Sequence, residues 1–362
     1  MNAFGTKYQI EIMNFDINQI IRTNIKILKP YSSARDEFKG EASVYLDANE
    51  NAFGSPLPQA FNRYPDPMQY AVKMRLSEIK GVPARNIFLG NGSDEAIDIL
   101  FRSFCEPGID NVIIVPPTYG MYEVSANINN VALKKVPLTA AYQLNLEGIA
   151  EAIDKNTKLI FICSPNNPTG NSINREDIET ILTNFSGIVI IDEAYINYSR
   201  QKTFIQELTE YANLVILQTL SKAWGLAGLR VGMAFASEEI IEIFNRVKPP
   251  YNINDASQTL ALEALQNTEQ VNEWIKQTLI ERDNLVVSIK KFDFVLDIYP
   301  SDANFILVKT TDANSIYKFL VEKGIIVRNR TNVELCEGCL RITVGTPLEN
   351  EILINTLKSF KG

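Results

Sequence analysis

From about residue 85 to 235 the chain repeats one pattern: a short run of Val, Ile and Leu, then a stretch with helical spacing. "NIFLG", "NVIIVPPTYG", "TKLIFICSPNNPTG", "GIVIIDEAY" and "NLVILQTLSKAW" each read as a strand. Runs that are apolar at every position belong to strands covered on both faces, and strands separated by helices pair in parallel. The pattern predicts an α/β fold with a mostly parallel sheet between helical layers. "GSDEAIDILFRSFCEPG" after the first strand predicts a helix, with Ser93 as N-cap, acids in the first turn and Pro107-Gly108 as the stop.

Sheets of this kind bind ligands beyond the carboxyl ends of their strands. The polar residues collect at those ends: Asn91-Gly92-Ser93-Asp94, Tyr119, Asn166-Asn167, Asp192 with Tyr195, and Ser221-Lys222. After about residue 235 the pattern changes. A long helical region, 257–292, leads to shorter strands, "NFILVKT", "GIIVRNR" and "CLRITVG", which predicts a smaller α+β C-terminal domain. The segment 14–80 is loop-rich and is expected to wrap over another part of the molecule or over a partner subunit. A chain of 362 residues is too long for one small core. The expected division is an N-terminal arm (1–45) packing on the small domain or a partner subunit, a large domain (46–245) and a small C-terminal domain (246–362).

The chain contains no histidine. Ser-His-Asp hydrolysis, Cys-His proteolysis and histidine-ligated metals are excluded, so a proton carrier must be Lys, Tyr, Cys, Asp or Glu. The net charge of −8 argues against a nucleic-acid partner. No apolar run approaches the length of a membrane span. The N-terminus lacks the apolar core of a secretory signal, and residues 1–12 read as a lead-in before a second possible start at Met13. Cys336 and Cys339 form a C-x-x-C with no second pair, which favours reduced thiols in a cytoplasmic protein over a metal site.

"QTLSKAWGLAGLRVGM" (218–233) places Lys222 among small and apolar neighbours, with Thr219 and Ser221 before it and Arg230 after. An electrophilic cofactor with an aldehyde, a ring nitrogen and a phosphate would use all of these. The aldehyde needs an amine kept neutral by desolvation or a nearby cation, which Lys222 and Arg230 can supply. The phosphate needs helix-start N–H groups, hydroxyls and an arginine, available from Gly92-Ser93-Asp94, Thr219, Ser221 and Arg230. A protonated ring nitrogen needs a buried carboxylate, and Asp192 ends an apolar strand. Asn167 and Tyr195 can bond a ring oxygen, and Tyr119 can stack on the ring. The cofactor so described is pyridoxal phosphate. Each residue also has a plainer reading: a solvated lysine, a helix-capping Asp192-Glu193, a bare turn at "SPNNPTG", surface ion pairs for Arg328 and Arg341.

From about residue 20 onward the chain resembles the fold-type I pyridoxal-phosphate enzymes, within them the class I/II aminotransferase group, and more narrowly the histidinol-phosphate aminotransferase family. "PYSSAR" (30–35), "LDANEN" (46–51), "RYPDP" (63–67), "PPTYGMY" (116–122), "CSPNNPTG" (163–170), "DEAYI" (192–196), "TLSKAWGLAGLRVG" (219–232) and "CLRITVGT" (339–346) carry the likeness. The resemblance implies a seven-stranded sheet and a homodimer acting on small molecules. Lys222 would bind the cofactor aldehyde and transfer the proton, and Asp192 would hold the ring nitrogen protonated. Asn167 and Tyr195 would bond the ring oxygen, and Tyr119 would stack. Gly92, Ser93, Asp94, Thr219, Ser221 and Arg230 would surround the cofactor phosphate, joined by Tyr64 from the neighbouring subunit. Arg341 and Arg328, with Tyr31 and Asn304, would bind the substrate's anionic end, and Asn49 belongs to the same substrate set.

The implied reaction is imidazole acetol phosphate plus L-glutamate giving L-histidinol phosphate plus 2-oxoglutarate, in histidine biosynthesis. The alternatives are a threonine-phosphate decarboxylase-like lyase and an aromatic amino-acid transaminase of the same fold. Ala52 stands where the pattern has proline, and Trp224 where phenylalanine is common.

Overall fold

The computed structural model describes residues 15–31 and 42–361. The lead-in, the alternative start at Met13 and residues 32–35 of "PYSSAR" lie outside the described residues.

Seven strands form one sheet in the order β1-β7-β6-β5-β4-β2-β3. They are β1 (Ile87–Asn91), β2 (Asn111–Ile114), β3 (Ala132–Lys135), β4 (Thr157–Cys163), β5 (Ile188–Asp192), β6 (Leu214–Thr219) and β7 (Val231–Ala236). Neighbours pair in parallel except β7, which runs antiparallel to both β1 and β6. Two strands carry no strong signal in the sequence. β3, "ALKK", is an edge strand with no fully buried residue. β7, "VGMAFA", is rich in small residues, although it is wholly buried.

Successive side chains on a strand point to opposite faces. In β5, Ile188 and Ile190 join a core with Phe88, Phe101, Tyr122 and Phe161, whereas Val189 and Ile191 join a core with Ile113, Ile160 and Ile216. Each buried Val or Ile contributes about 1.5–3 kcal/mol, so the sheet is stable enough to carry costly polar groups at its ends. The same alternation sends Asp192 and Glu193, adjacent carboxylates, to opposite sides.

The helix after β1 spans Ser93–Phe104, with Gly92 rather than Ser93 at the N-cap and no side chain capping the first turn. The cap shifts by one residue because Gly92, at φ 77°, makes the turn out of the strand. The long helical region is two helices, Asp255–Ala264 and Thr268–Ile289. They part over residues 265–267, where Asn267, a residue type that competes with helical hydrogen bonding, is the N-cap of the second.

A second sheet has the order β10-β11-β9-β8, from β8 (Val295–Tyr299), β9 (Phe305–Thr310), β10 (Arg328–Asn329) and β11 (Cys339–Thr343), all antiparallel. It packs on helices Thr268–Ile289, Ala313–Glu322 and Pro347–Leu357 through Leu285, Ile316, Leu320 and Leu353. Tyr195 and Ala223 from the first sheet's rim meet Ala303 and Phe305 in a small cluster that joins the two sheets.

Within the expected arm, residues 15–31 pack on the large sheet's helical layer and not on the small sheet. Ile17, Ile20 and Ile25 enter the Phe101 core, and the Arg22 guanidinium pairs with Glu106 at 3.1 Å. Ile17 and Ile20 sit one turn apart in the short helix Ile17–Ile20, and Ile25 is in a second one, Thr23–Lys26.

Candidate active site

A cavity of about 740 Å³ opens at the carboxyl ends of the central strands and is closed on its far side by the small sheet. Gly92, Ser93, Asp94, Tyr119, Asn167, Asp192, Tyr195, Thr219, Ser221, Lys222, Arg230, Arg328 and Arg341 all line it. Every one of these was expected at the site from sequence.

Asp192 is buried at the end of β5. Tyr122 Oη donates to its Oδ2 at 2.7 Å and the Ala194 N–H to its Oδ1 at 3.1 Å. Burial pushes its pKa up, and these two donors oppose that shift. Glu193, on the other face, accepts from Phe204 N–H at 2.7 Å and Gln218 Nε2 at 2.8 Å. It is a structural anchor and does not reach the cavity. Neither carboxylate therefore serves as a simple helix cap.

Lys222 follows β6 in a tight loop, where Gly225 N–H donates to the Lys222 carbonyl and Leu226 N–H to that of Leu220, each at 3.0 Å. Its side chain stands in the cavity with Nζ 5.5 Å from the Tyr195 ring centre. Desolvation by the surrounding walls lowers its pKa, and Arg341 adds to the shift. Arg230 contributes less than Arg341, a correction to the expectation that Arg230 is the activating cation. Asp94, whose Oδ2 is 3.6 Å from Arg230 Nη2, acts in the opposite sense and raises the Lys222 pKa.

Arg230 sits in the left-handed region at φ 54°, and its carbonyl accepts the Gly92 N–H at 2.7 Å. A Cβ at Gly92 would lie 2.8 Å from Arg230 Nη2, and one at Gly232 only 2.1 Å from the Ser93 nitrogen. Glycine at both positions lets the helix start, the arginine and β7 approach closely. The uncapped helix start, the Thr219 hydroxyl and Arg230 surround one end of the cavity. Ser221 Oγ there is buried and has no hydrogen-bond partner. An orphaned hydroxyl, first-turn N–H groups without a cap and a guanidinium fit a phosphate. Tyr119 Oη donates to Asp94 Oδ1 at 3.1 Å, which fixes the ring over the same end.

"SPNNPTG" divides its work. Asn166 Nδ2 donates to the Pro117 carbonyl at 2.8 Å and Thr169 Oγ1 at 2.7 Å, which holds the turn. Asn167 then faces the cavity. Its Oδ1 accepts from Arg341 Nη1, and its Nδ2 lies 3.5 Å from Tyr195 Oη. Burial raises the Tyr195 phenol's pKa, so it stays protonated as a donor.

Four expected site residues do not line this cavity. Tyr31 is 75% exposed beside Pro67, Glu242 and Lys248. Asn49 is in a surface loop at φ 55°. Tyr64, half-exposed, stacks on Tyr251 with ring centres 4.4 Å apart. Asn304 contributes its carbonyl to the Val344 N–H at 2.9 Å. The first three lie in segments on the outside of the described chain.

Two functional side chains escaped the sequence reading. Tyr122, buried behind the cavity wall against Asp192, was visible three residues after Tyr119 in "PPTYGMY". Arg330 was visible as the second arginine of "RNR", two residues from Arg328 and therefore on the same strand face.

Comparison with known proteins agrees with this geometry. The family model "Aminotransferase class I and II" matches residues 43–357. The histidinol-phosphate aminotransferase of Parabacteroides distasonis is 54% identical, over 96% of this chain and 99% of that protein. That of Cytophaga hutchinsonii is 53% identical, over 96% of this chain and all of its own (100%). Among solved structures, the histidinol-phosphate aminotransferase of Sinorhizobium meliloti in complex with pyridoxal-5'-phosphate superposes with a TM-score of 0.76 at 23% identity, covering 86% of this chain and 90% of that one. L-Threonine-O-3-phosphate decarboxylase of Porphyromonas gingivalis gives 0.71 at 23% identity, over 83% and 91%; at such identities the likeness shows the fold alone. The chain thus belongs to the class I and II aminotransferases, and within them to the histidinol-phosphate aminotransferase family.

Proposed function

We propose that the chain transfers the amino group between L-histidinol phosphate and 2-oxoglutarate with pyridoxal phosphate as cofactor. The biosynthetic direction is imidazole acetol phosphate plus L-glutamate, in histidine biosynthesis. The observation that carries this reading is one cavity lined by a lysine amine, a buried carboxylate, a phosphate-fitting helix start and a group of arginines.

Pyridoxal phosphate, when bound, supplies an aldehyde that links to amines and a ring that draws electrons from the substrate's Cα. Lys222 Nζ is the amine for that link, and its lowered pKa favours the neutral, nucleophilic form. The same nitrogen, when free, would move the substrate's α-proton, so no histidine is required. Asp192 would hold the proton on the ring nitrogen, with Tyr122 fixing the carboxylate. Asn167 and Tyr195 would bond the ring oxygen and Tyr119 would stack. Gly92, Ser93, Asp94, Thr219, Ser221 and Arg230 would hold the cofactor phosphate. Arg341 and Arg328 would take the anionic end of either substrate, phosphate or carboxylate, since guanidinium pairs with both in bidentate fashion.

The working unit in this reading is a cytoplasmic homodimer whose subunits each have an arm (1–45), a large domain (46–245) and a small domain (246–362). Leu46, Phe53, Tyr64, Tyr70 and Met74 are exposed apolar side chains within one segment, which suits a surface covered by a second copy. Tyr64 would then reach the partner's cofactor phosphate, and Tyr31 and Asn49 would serve a substrate site completed by both copies. Light scattering that returns a monomer at working concentration would remove that part.

The activity itself is tested with purified, cofactor-loaded protein. L-Histidinol phosphate plus 2-oxoglutarate should yield L-glutamate. Release of CO₂ from threonine phosphate without any need for a keto acid would assign the lyase alternative. Turnover confined to aromatic amino acids would assign the other transaminase.

A further inference from the structure

β10 and β11 pair antiparallel with Arg328 directly opposite Arg341. The ladder continues one residue further, where the Arg330 N–H donates to the Cys339 carbonyl at 2.9 Å. Arg328 and Arg330, two residues apart, therefore share the face on which Arg341 lies, and all three line the cavity. Like charges directly opposite on a sheet are destabilising, so this face needs a compensating group.

Among the described residues no acid forms an ion pair with any of the three. Of the cavity's acids on this side, Glu123 is engaged by Lys135 at 2.7 Å, and Glu334 is exposed at the rim. Arg330 Nε and Arg341 Nε are both buried without a hydrogen-bond partner. Burial lowers the pKa of Arg330 and of Arg341, and the neighbouring guanidiniums add to it in each case. A cluster of this kind is short of negative charge by more than a single carboxylate supplies.

We propose that Arg330 is a specificity-determining residue: a third guanidinium that tips the substrate's anion site toward a dianionic phosphate and away from a carboxylate. The assignment rests on the functional reading above for the identity of the substrate, but not for the existence of the anion site. Arg341 also bonds Asn167, and serves both substrates. Arg330 has no such link to the cofactor-facing residues and is free to answer the larger charge of the phosphate.

The test uses cofactor-loaded wild type, Arg330→Gln and Arg330→Lys. Arg330→Gln should raise KM for L-histidinol phosphate by at least about tenfold, the size of a lost charge-assisted hydrogen bond. KM for L-glutamate should move less than about threefold, with kcat near wild type. Arg330→Lys, which keeps the charge but not the planar fork, should fall between the two. Equal losses for both substrates, or no loss for either, would overturn the assignment. Calorimetric binding of inorganic phosphate to the loaded protein is the second arm. It should weaken about tenfold in Arg330→Gln, and unchanged binding would likewise overturn the assignment. If the wild type binds phosphate through Arg330 yet does not turn over L-histidinol phosphate, the functional reading fails while the anion site stands. Should Arg330→Gln not fold, Arg330→Lys alone decides: wild-type behaviour in both arms sinks the proposal.

Discussion

The two ends of the cavity each suit an anion, but they balance charge in different ways. At the large-sheet end, backbone N–H groups and hydroxyls do much of the work, and the single guanidinium, Arg230, already faces Asp94 at 3.6 Å. At the small-sheet end, Arg328, Arg330 and Arg341 share one face of the sheet with no acid paired to them among the described residues. The first holds its anion largely through fixed backbone N–H groups and hydroxyls, with little uncompensated charge of its own. In the second, each arriving anion relieves a repulsion between guanidiniums that its departure restores. A transaminase with a resident cofactor and two alternating anionic substrates needs one site of each kind.

The most severe way to probe this contrast is to remove the group between the two ends. Lys222→Ala should lower turnover by about 10³-fold or more and abolish borohydride trapping at that position. Phosphate affinity at the arginine face should stay near wild type. Normal turnover by this variant would refute the functional assignment altogether.

Next comes the shared arginine. Arg341→Ala should raise KM for both L-histidinol phosphate and L-glutamate by about 10–100-fold, while cofactor retention on dialysis stays unchanged. An effect on only one substrate would mean that the two do not share this residue. Arg230→Gln should do the converse. Cofactor affinity falls by about tenfold, and KM for either substrate is near wild type once cofactor is in excess. The smaller size follows from Arg230's half-exposed side chain, where solvent screens its charge.

The mildest expected change is Tyr122→Phe, which keeps the ring and deletes the hydroxyl that donates to Asp192. It should lower kcat by about three- to tenfold and leave both KM values alone. An unaltered kcat would show that Ala194 N–H alone holds the carboxylate in place.

Much of the large-sheet end was legible in the chain. Unbroken Val/Ile runs forced buried strands, and strand ends in such sheets gather ligand-binding residues, so Asp192, Asn167 and Lys222 could be placed without coordinates. The edge strand β3 was not legible, because half-exposed "ALKK" has no buried stripe to betray it. Nor was the separation of Asp192 from Glu193 into a site residue and an anchor. That separation depends on which neighbours the alternating faces meet, Tyr122 on one side and Gln218 on the other.

The order of residues by itself determined the layered α/β architecture, the exclusion of histidine chemistry, and the lysine, carboxylate and helix start that meet at one rim. These follow from local periodicity and from residue types that only certain chemistry uses. Tertiary structure decided which charges face one another: that Arg341 outweighs Arg230 in depressing the Lys222 amine, that Tyr122 secures Asp192, and that Arg330 joins Arg328 and Arg341. Coulomb and hydrogen-bond energies depend on distances across strand pairings far apart in the chain. Only the folded molecule sets those distances.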